Sequence, residues 1–336
     1  MAAEATLMKA PEPQEAGAST TSHSPSFTVH PLLKRLGWAL FTLWGVSVIT
    51  FVLVFVVPRV RGIDPAMAIA GNRTDPETIA NIRRERHLDA PLATQYVFFI
   101  RDILTNNLKS FRNDDRVVEA IARRFPATLA LALAGLTVWL VAAIPLGLLT
   151  ARYAGTWIDR GALFLGLIAI SIPTFWLGRL LQYYVGYRWE IFSVGGDATW
   201  GNLPLPALTL GLGGAAYYAR LLHSSVRGVL AQDYIRAARA RGLGEPTVLG
   251  KHALKNALIP LVTILGMDFA SLLSGLIFTE KIFAWPGIGS LAIDSVLNSD
   301  IPMIMGTVMF AALMVVVMNI VVDVAYRFID PRVRFE

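Results

Sequence analysis

The feature that most constrains this chain is a set of long apolar runs. The first, residues 38–57, contains no ionisable side chain, and its length matches the roughly 20 residues that a helix needs to cross the hydrocarbon core of a bilayer. Five further runs predict spans at about 127–150, 161–185, 205–226, 258–279 and 302–324. Because lipid cannot satisfy exposed backbone polar groups, spans of this kind must be helices. The sequence therefore predicts an all-α integral membrane protein with six transmembrane helices.

Composition supports lipid as the surrounding solvent. Charged residues make up 16% of the chain, whereas soluble domains carry about 25%. The formal net charge of +6 could indicate nucleic-acid binding, but the positive residues lie between apolar runs and no groove-reading motif accompanies them. We therefore expect no nucleic-acid partner. The absence of cysteine excludes disulfides and thiolate sites.

The distribution of lysine and arginine predicts which side of the membrane each loop faces. Positive residues are dense in three places, residues 151–160, residues 227–257 and the C-terminal tail, and sparse at 188–203 and 280–301. The positive-inside rule then assigns both termini and residues 227–257 to the cytoplasm. Residues 1–30, rich in Ala, Ser, Thr, Pro and Glu, are predicted to be a disordered cytoplasmic tail.

A long loop, residues 58–126, joins the first two predicted spans. Helical patterns at 76–87, 92–104 and 117–125 predict a helical external cap, with Pro126 breaking the helix before span two. The domain prediction is accordingly a first span plus cap at 31–126 and a five-helix core at 127–336.

Between spans four and five lies a basic, helix-prone segment, residues 233–260. The Ala- and Arg-rich stretch 234–241 predicts a short helix, and Gly242 can end it in a left-handed conformation. Glu245-Pro246 predicts the start of a second helix that runs to about Asn256, with Pro260 marking the entry to span five. One alternative is a solvated basic loop that lies on anionic lipid; against it, Val248, Leu249, Ala253 and Leu254 repeat at helical spacing and give the second helix an apolar face.

The sequence contains no residue pattern that indicates a chemical site. Residues 244–251 mimic a phosphate-binding loop, but the glycine spacing is too long and His252 stands where Ser or Thr should bind magnesium. The glycines at 211, 213 and 214 lie inside a span, where small residues let helices approach closely. His223 and His252 are isolated, so no catalytic, cofactor-binding or metal residue is predicted.

Two residues inside the spans have a possible role in a path or at a helix interface. Asp268 lies near the middle of span five, where a lipid-facing carboxylate would cost about 3 kcal/mol. It is expected either to line a path or to form an interhelical hydrogen bond, and the sequence leaves both open. Pro173 is predicted to kink span three.

Several motifs resemble the inner-membrane permease family of binding-protein-dependent ABC importers, in particular its dipeptide/oligopeptide branch. The family's cytoplasmic signature is Glu-Ala-Ala, three further residues, Gly, and a later hydrophobic-Pro ending. This chain has a similar pattern in Arg236-Ala237-Ala238, Gly242 and Leu258-Ile259-Pro260, with Arg in place of Glu and a longer spacing from Gly242 to the ending. Further similar stretches are Ile63-Asp64-Pro65, Arg124-Phe125-Pro126-Ala127-Thr128, residues 171–176, residues 279–289 and Asp330-Pro331-Arg332. The Gly-Asp-Leu-Gly turn usual in this family is missing at 105–115.

This resemblance implies a type I ABC importer permease (MetI-like) fold in a bacterial inner membrane, with no enzymatic activity of its own. The implied partners are a second homologous permease, two ABC ATPase subunits that bind ATP and Mg, an extracytoplasmic solute-binding protein and membrane lipid. The implied solute is a di- or oligopeptide, with a nickel chelate, glutathione or an oligosaccharide as alternatives; a proton-coupled transporter and a non-transporting scaffold are the rival classes.

The resemblance also implies roles for individual residues. Residues 234–256 would be coupling helices that dock on an ATPase, through Tyr234, Arg236, Ala237, Ala238, Arg241, Gly242, Leu243, His252 and Asn256. The contact is expected to be packed and apolar around Ala237, Ala238 and Gly242. The loop after span five would face the binding protein through Glu280, Trp285, Pro286 and Gly287.

Overall fold

The structure is a computed structural model that describes residues 30–62, 64–70, 75–85, 87–274 and 276–329. The predicted tail, apart from His30, and the Asp330-Pro331-Arg332 motif lie outside these ranges. Within them all regular secondary structure is helical, and Lys109 and Arg116 form an isolated antiparallel bridge. This agrees with the all-α prediction.

The first part of the chain forms a long helix and a cap. The helices are α1 (His30–Phe51), α2 (Val57–Val60), α3 (Pro65–Ala70), α4 (Pro76–Glu85) and α5 (Leu92–Leu104), and a π-helical turn, Val52–Val56, joins α1 to α2. Helices α4 and α5 match the predicted cap patterns. A buried cluster that includes Phe51, Phe99 and Met305 packs the cap against the first and last long helices.

The remaining helices form the bundle. They are α6 (Val117–Arg152), α7 (Trp157–Ser171), α8 (Thr174–Leu181), α9 (Pro204–Leu230), α10 (Asp233–Ala240), α11 (Glu245–Thr247), α12 (Leu254–Ser274), α13 (Ile277–Ile282), α14 (Ile288–Leu297) and α15 (Ile301–Ile329), with π-helical stretches at Gln182–Arg188 and Val248–Ala253. We call the end that carries residues 153–156 and 233–256 the basic end, and the opposite end, with α3–α5, α13 and α14, the cap end.

Among the described residues, four helices are long and apolar enough to cross a membrane, or five if one bent pair is counted as a single span. Four continuous helices qualify, Arg35–Val60, Val117–Arg152, Glu245–Leu273 and Ile301–Val322. A fifth span results if Trp157–Ser171 and Thr174–Arg188 are counted together, although they meet at a 95° bend. Helix α9, the predicted fourth span, has 27 residues and is long enough at 1.5 Å per residue, but it contains Arg220 and two tyrosines. The kink predicted at Pro173 is thus a sharp break.

Three predicted boundaries were wrong. Helix α6 runs through Pro126 without a break, so the predicted domain boundary at 126 falls inside a helix. Helix α12 likewise runs through Pro260, so no helix begins at the predicted entry to span five, and it ends at Ser274 rather than near Thr279. The α6 helix persists because Val117 and Ile121 before the proline are buried against α14 and α15, and that burial outweighs the lost backbone hydrogen bond, which costs about 3 kcal/mol.

The centre of the bundle is the close packing of α6 against α9. A Cβ added to Gly211 would lie 2.1 Å from the Val138 side chain, and one added to Gly214 would lie 2.3 Å from the Trp139 ring. Trp139 Nε1 donates a hydrogen bond of 2.5 Å to the Leu210 carbonyl. These small residues therefore let two helices approach closely, as predicted.

Candidate functional site

The basic segment, residues 233–256, forms the predicted helix–turn–helix at the basic end. Helix α10 ends at Ala240, and Gly242 has a φ of +80°, a conformation that glycine adopts without strain. Gly244 then caps the second helix, with Pro246 in its first turn. That second helix does not stop near Asn256 as predicted, because it continues into α12, so residues 245–273 form one helix.

The inner face of the basic segment is anchored to the bundle. Ile235, Val248 and Ala253 are completely buried and join the cluster that contains Leu222 and Val226 of α9. Ala238 belongs to this inner face, with 8% of its surface exposed. The prediction that Ala238 offers a contact surface was therefore wrong, because its methyl group already packs inside the chain.

The outer face carries most of the other predicted contact residues. Exposed on it are Tyr234, Arg236, Ala237, Arg241, Gly242, Leu243 and Asn256, while His252 is half-buried. Asn256 Nδ2 donates a 2.7 Å hydrogen bond to the Tyr234 hydroxyl, which ties α10 to the second helix. Arg239 pairs with Glu245 across the turn at 2.6 Å. The result is a preformed basic surface with small residues between the arginines.

The predicted external contact residues at the cap end are mostly buried. Glu280 and Trp285 have 0% and 1% of their surfaces exposed, so the prediction that they contact a binding protein was wrong for both. Gly287 is also buried, because its Cα lies against the Glu280 carboxylate, and an added Cβ would lie 2.2 Å from it. Of the four predicted residues only Pro286 is partly exposed.

These buried residues form a polar knot, a cluster of hydrogen-bonded side chains and backbone groups that no sequence pattern indicated. The Thr128 hydroxyl donates to Glu280 Oε1 at 2.8 Å and accepts from the Ile288 N–H at 2.8 Å. The Ser290 N–H donates to Glu280 Oε2 at 2.8 Å. Burial raises the pKa of the Glu280 carboxyl, although these hydrogen bonds favour its ionised form. The knot thus joins α6 to α13 and α14.

The two candidate residues within the spans differ in role. The Tyr218 hydroxyl donates a 2.5 Å hydrogen bond to Asp268 Oδ2, which joins α9 to α12. Of the two interpretations that the sequence left open, this contact favours the interhelical hydrogen bond. Pro173 lies at the break between α7 and α8, next to an open apolar cavity of about 530 Å³ that includes Phe175 and Trp176.

A buried polar pair at the basic end was also missed. His223 and Asp159 have 7% and 5% of their surfaces exposed, and His223 Nδ1 lies 3.6 Å from Asp159 Oδ1. The other carboxylate oxygen accepts a 2.8 Å hydrogen bond from the Gly155 N–H. The sequence signal was an acidic residue, Asp159, in the first turn of a helix that follows Gly155-Thr156; only the fold brings it to His223, which is 64 positions away.

Comparison with protein families gives two matches that together cover nearly the whole chain. Residues 143–335 match the family described as binding-protein-dependent transport system inner membrane component. Residues 28–132 match the corresponding N-terminal region. The two matches meet within α6, between residues 132 and 143.

Similar curated proteins span the same length. A putative peptide transport system permease protein of Brucella abortus (strain 2308) is 36% identical over 314 residues, which covers 91% of this chain and 99% of that protein. A glutathione transport system permease protein of Salmonella typhimurium (strain LT2) is 39% identical over 308 residues, with the same coverage.

The fold is also similar to solved structures of the MetNI methionine ABC transporter in inward-facing conformations. Two crystal forms give TM-scores of 0.53 and 0.54 at 18% and 20% identity. They cover 63% of this chain and 96% and 97% of the matched chains. At this identity the likeness supports the fold alone, which is the MetI-like arrangement.

Proposed function

Because the chain belongs to the family of binding-protein-dependent transport system inner membrane components, and is thus the non-catalytic permease component of an ABC importer in the inner membrane, we propose that its basic segment is the docking surface for an ATPase subunit. This places the basic end, with both termini, in the cytoplasm, in agreement with the positive-inside rule. A second homologous permease forms the other half of the path, and two ATPase subunits supply the energy.

The observation that carries this proposal is the construction of the basic segment. Its inner face is fixed to α9 by completely buried side chains such as Ile235 and Val248, while its outer face leaves Ala237 and the arginines exposed. Its second helix continues without interruption to residue 273. A force applied to the outer face is therefore transmitted along one helix into the bundle, as a rigid-body gating movement requires.

The size of the required free energy argues for a packed contact. Driving a two-state gate from 1:99 to 99:1 takes about 5.5 kcal/mol of differential interaction. Exposed ion pairs contribute about 0–1 kcal/mol each, so Arg236 and Arg241 alone would not suffice. We assign the main contact to the surface around Ala237, Gly242 and Leu243, with the arginines orienting the partner.

The docking proposal predicts that Ala237→Asp prevents productive contact. The substitution puts a charge on an exposed position that contributes nothing to the chain's own core, so insertion and folding should persist. We expect ATPase subunits to be lost from the purified complex, or to remain bound without solute-stimulated ATP hydrolysis. Co-purification and ATPase assays measure both.

Ala93→Asp is the matched control, because it makes the same change at an exposed helical position of the cap end. It should retain the ATPase subunits. Normal docking and solute-stimulated hydrolysis in Ala237→Asp would contradict the proposed docking surface, and Ala238→Asp would be a poorer test because Ala238 packs inside the chain.

For the solute, we propose di- or oligopeptides, supported by the name of the Brucella relative and by the dipeptide/oligopeptide motifs. Glutathione, itself a small peptide, is the second candidate, supported by the Salmonella relative at 39% identity. The test is to reconstitute the complex with its binding protein and measure ATP hydrolysis with dipeptides, longer peptides and glutathione. Stimulation by none of them would reject the peptide assignment.

We further propose that the binding protein docks at the cap end through the rim of a cavity of about 590 Å³. Arg123, Arg124, Trp200 and Pro286 line this cavity. Trp200 is 85% exposed, and exposed tryptophan and arginine are typical of contact surfaces. In this proposal the exposed neighbours of Glu280 and Trp285 contact the binding protein, rather than those two buried residues.

A further inference from the structure

An arginine within a predicted span has no partner among the residues that the structure describes. Arg220 lies on α9, six residues before the end of the predicted fourth span, and its side chain is exposed. It forms no hydrogen bond, ion pair or ring contact with any residue that the structure describes. Ionisable residues inside spans are rare and almost always face a counter-charge or a functional cavity, so this arginine indicates an anionic ligand.

The cavity beside Arg220 has the shape and polarity of such a site. It measures about 310 Å³ and lies between α6, α7 and α9, within the range typical of small-molecule pockets. Along α9 the lining changes from Leu212 and Ala216 to Arg220 and His223, a distance of about 16 Å at 1.5 Å per residue. The cavity is thus apolar towards the middle of the bundle and cationic towards the basic end.

The cationic end of the cavity is built into the fold. His223 lines it and is backed by the buried Asp159. Neither His223 Nδ1 nor Asp159 Oδ1 has a hydrogen-bond partner within the described part of the chain. Because a buried polar atom without a partner is costly, these two atoms favour a polar group of a ligand placed beside them.

We propose that this cavity binds an anionic phospholipid, with the headgroup at Arg220 and His223 and an acyl chain along the apolar part. Basic pockets between transmembrane helices at the cytoplasmic side are a recurring site for anionic headgroups. A peptide in transit fits this lining less well. Apart from Thr150 at the basic end, the remaining side chains are apolar, and the backbone amides of a peptide would stay unsatisfied there.

The experiment measures binding of phosphatidylglycerol to the purified permease–ATPase complex by native mass spectrometry, with phosphatidylcholine as the zwitterionic comparison. We expect phosphatidylglycerol to bind preferentially. Arg220→Gln should weaken this binding about tenfold, as expected for the loss of one charged hydrogen bond. Arg227→Gln is the matched control, an exposed arginine two turns further along α9, and should leave binding unchanged.

A second variant tests the apolar part without changing charge. The Gly166 Cα borders the cavity, and an added Cβ would lie 3.9 Å from Ala216, so Gly166→Leu fills the space and should also exclude the lipid. This variant keeps the proposal testable if Arg220→Gln does not assemble. Equal binding of both lipids, unchanged binding in either cavity variant, or displacement of the lipid by a transported peptide would overturn the proposal. None of these outcomes depends on where the ATPase docks.

Discussion

At the scale of single residues, the buried knot around Glu280 shows why the motif at 279–289 contains glycine at 287. The backbone of Gly287 lies against the carboxylate, which also accepts hydrogen bonds from Thr128 and the Ser290 N–H. Any side chain there must displace the Glu280 carboxyl group from its donors. The stretch 279–289, which resembled a binding-protein contact, therefore holds α6 and α14 together within the chain.

Gly287→Ala should consequently destabilise the protein. Overpacking of this kind costs about 1–3 kcal/mol, and disturbance of the carboxylate adds to it, so we expect a clearly lower midpoint of thermal unfolding in detergent. Gly228→Ala is the control, because nothing lies within 4 Å of the added Cβ and alanine favours a helix. An unchanged midpoint in Gly287→Ala would contradict this prediction, because it would show that the residues around Glu280 rearrange without loss of stability.

At the scale of elements, residues 245–273 form one continuous helix, where the sequence had predicted two. A Pro at 260 and a polar segment before it indicated two helices, yet Ala253, Ala257 and Leu261 are all buried in one cluster. Because these residues recur at helical spacing along one face, they keep the helix in register from the basic segment into the bundle. The burial of this face therefore keeps the basic segment and the bundle connected by one helix.

A further proline placed between Ala253 and Ala257, inside this face, should interrupt the continuity. Lys255→Pro removes a backbone donor and costs about 3 kcal/mol in a helix interior, while the outer face at 234–243 stays intact. We expect the ATPase subunits to remain bound but solute uptake into proteoliposomes to be largely lost. Lys255→Ala, which keeps the helix, should transport normally; uptake that survives Lys255→Pro would contradict transmission through this helix.

At the scale of the whole molecule, two sets of contacts between described residues attach the cap to the bundle. One is the aromatic cluster around Phe51 and Phe99. The other is the stretch 105–115, which contains no Gly-Asp-Leu-Gly sequence. Its Ser110 hydroxyl donates to Asp300 Oδ2 at 2.5 Å and its Phe111 N–H to Asp300 Oδ1 at 3.0 Å. The unusual stretch thus fixes the cap to the start of α15.

Removing this attachment should loosen the cap and leave the bundle intact. Asp300→Ala leaves the buried Ser110 hydroxyl and the Phe111 N–H without their acceptor, at a cost of about 1–3 kcal/mol. We expect faster tryptic cleavage between residues 59 and 116, with ATPase subunits still bound. Asp197→Ala, at an exposed loop position, should not change the cleavage rate. Equal cleavage in both variants would mean that the aromatic cluster alone holds the cap.

The sequence alone determined the properties that depend on local composition. Long apolar runs predict helices because lipid offers no other partner to the backbone, and Gly242 predicts the left-handed turn because other residues are strained there. The resemblance of the motifs likewise predicted the family. These inferences need only residues that are near one another in the chain.

Tertiary structure decided every property that depends on what lies opposite a residue. Whether Pro126 and Pro260 break a helix depends on the burial of the flanking faces. Whether Ala238 and Glu280 face a partner or their own chain depends on side chains from α9 and α6. The pairing of Asp159 with His223 and the isolation of Arg220 likewise exist only in the packed bundle, because the environment of a charge is set by neighbours that are distant in sequence.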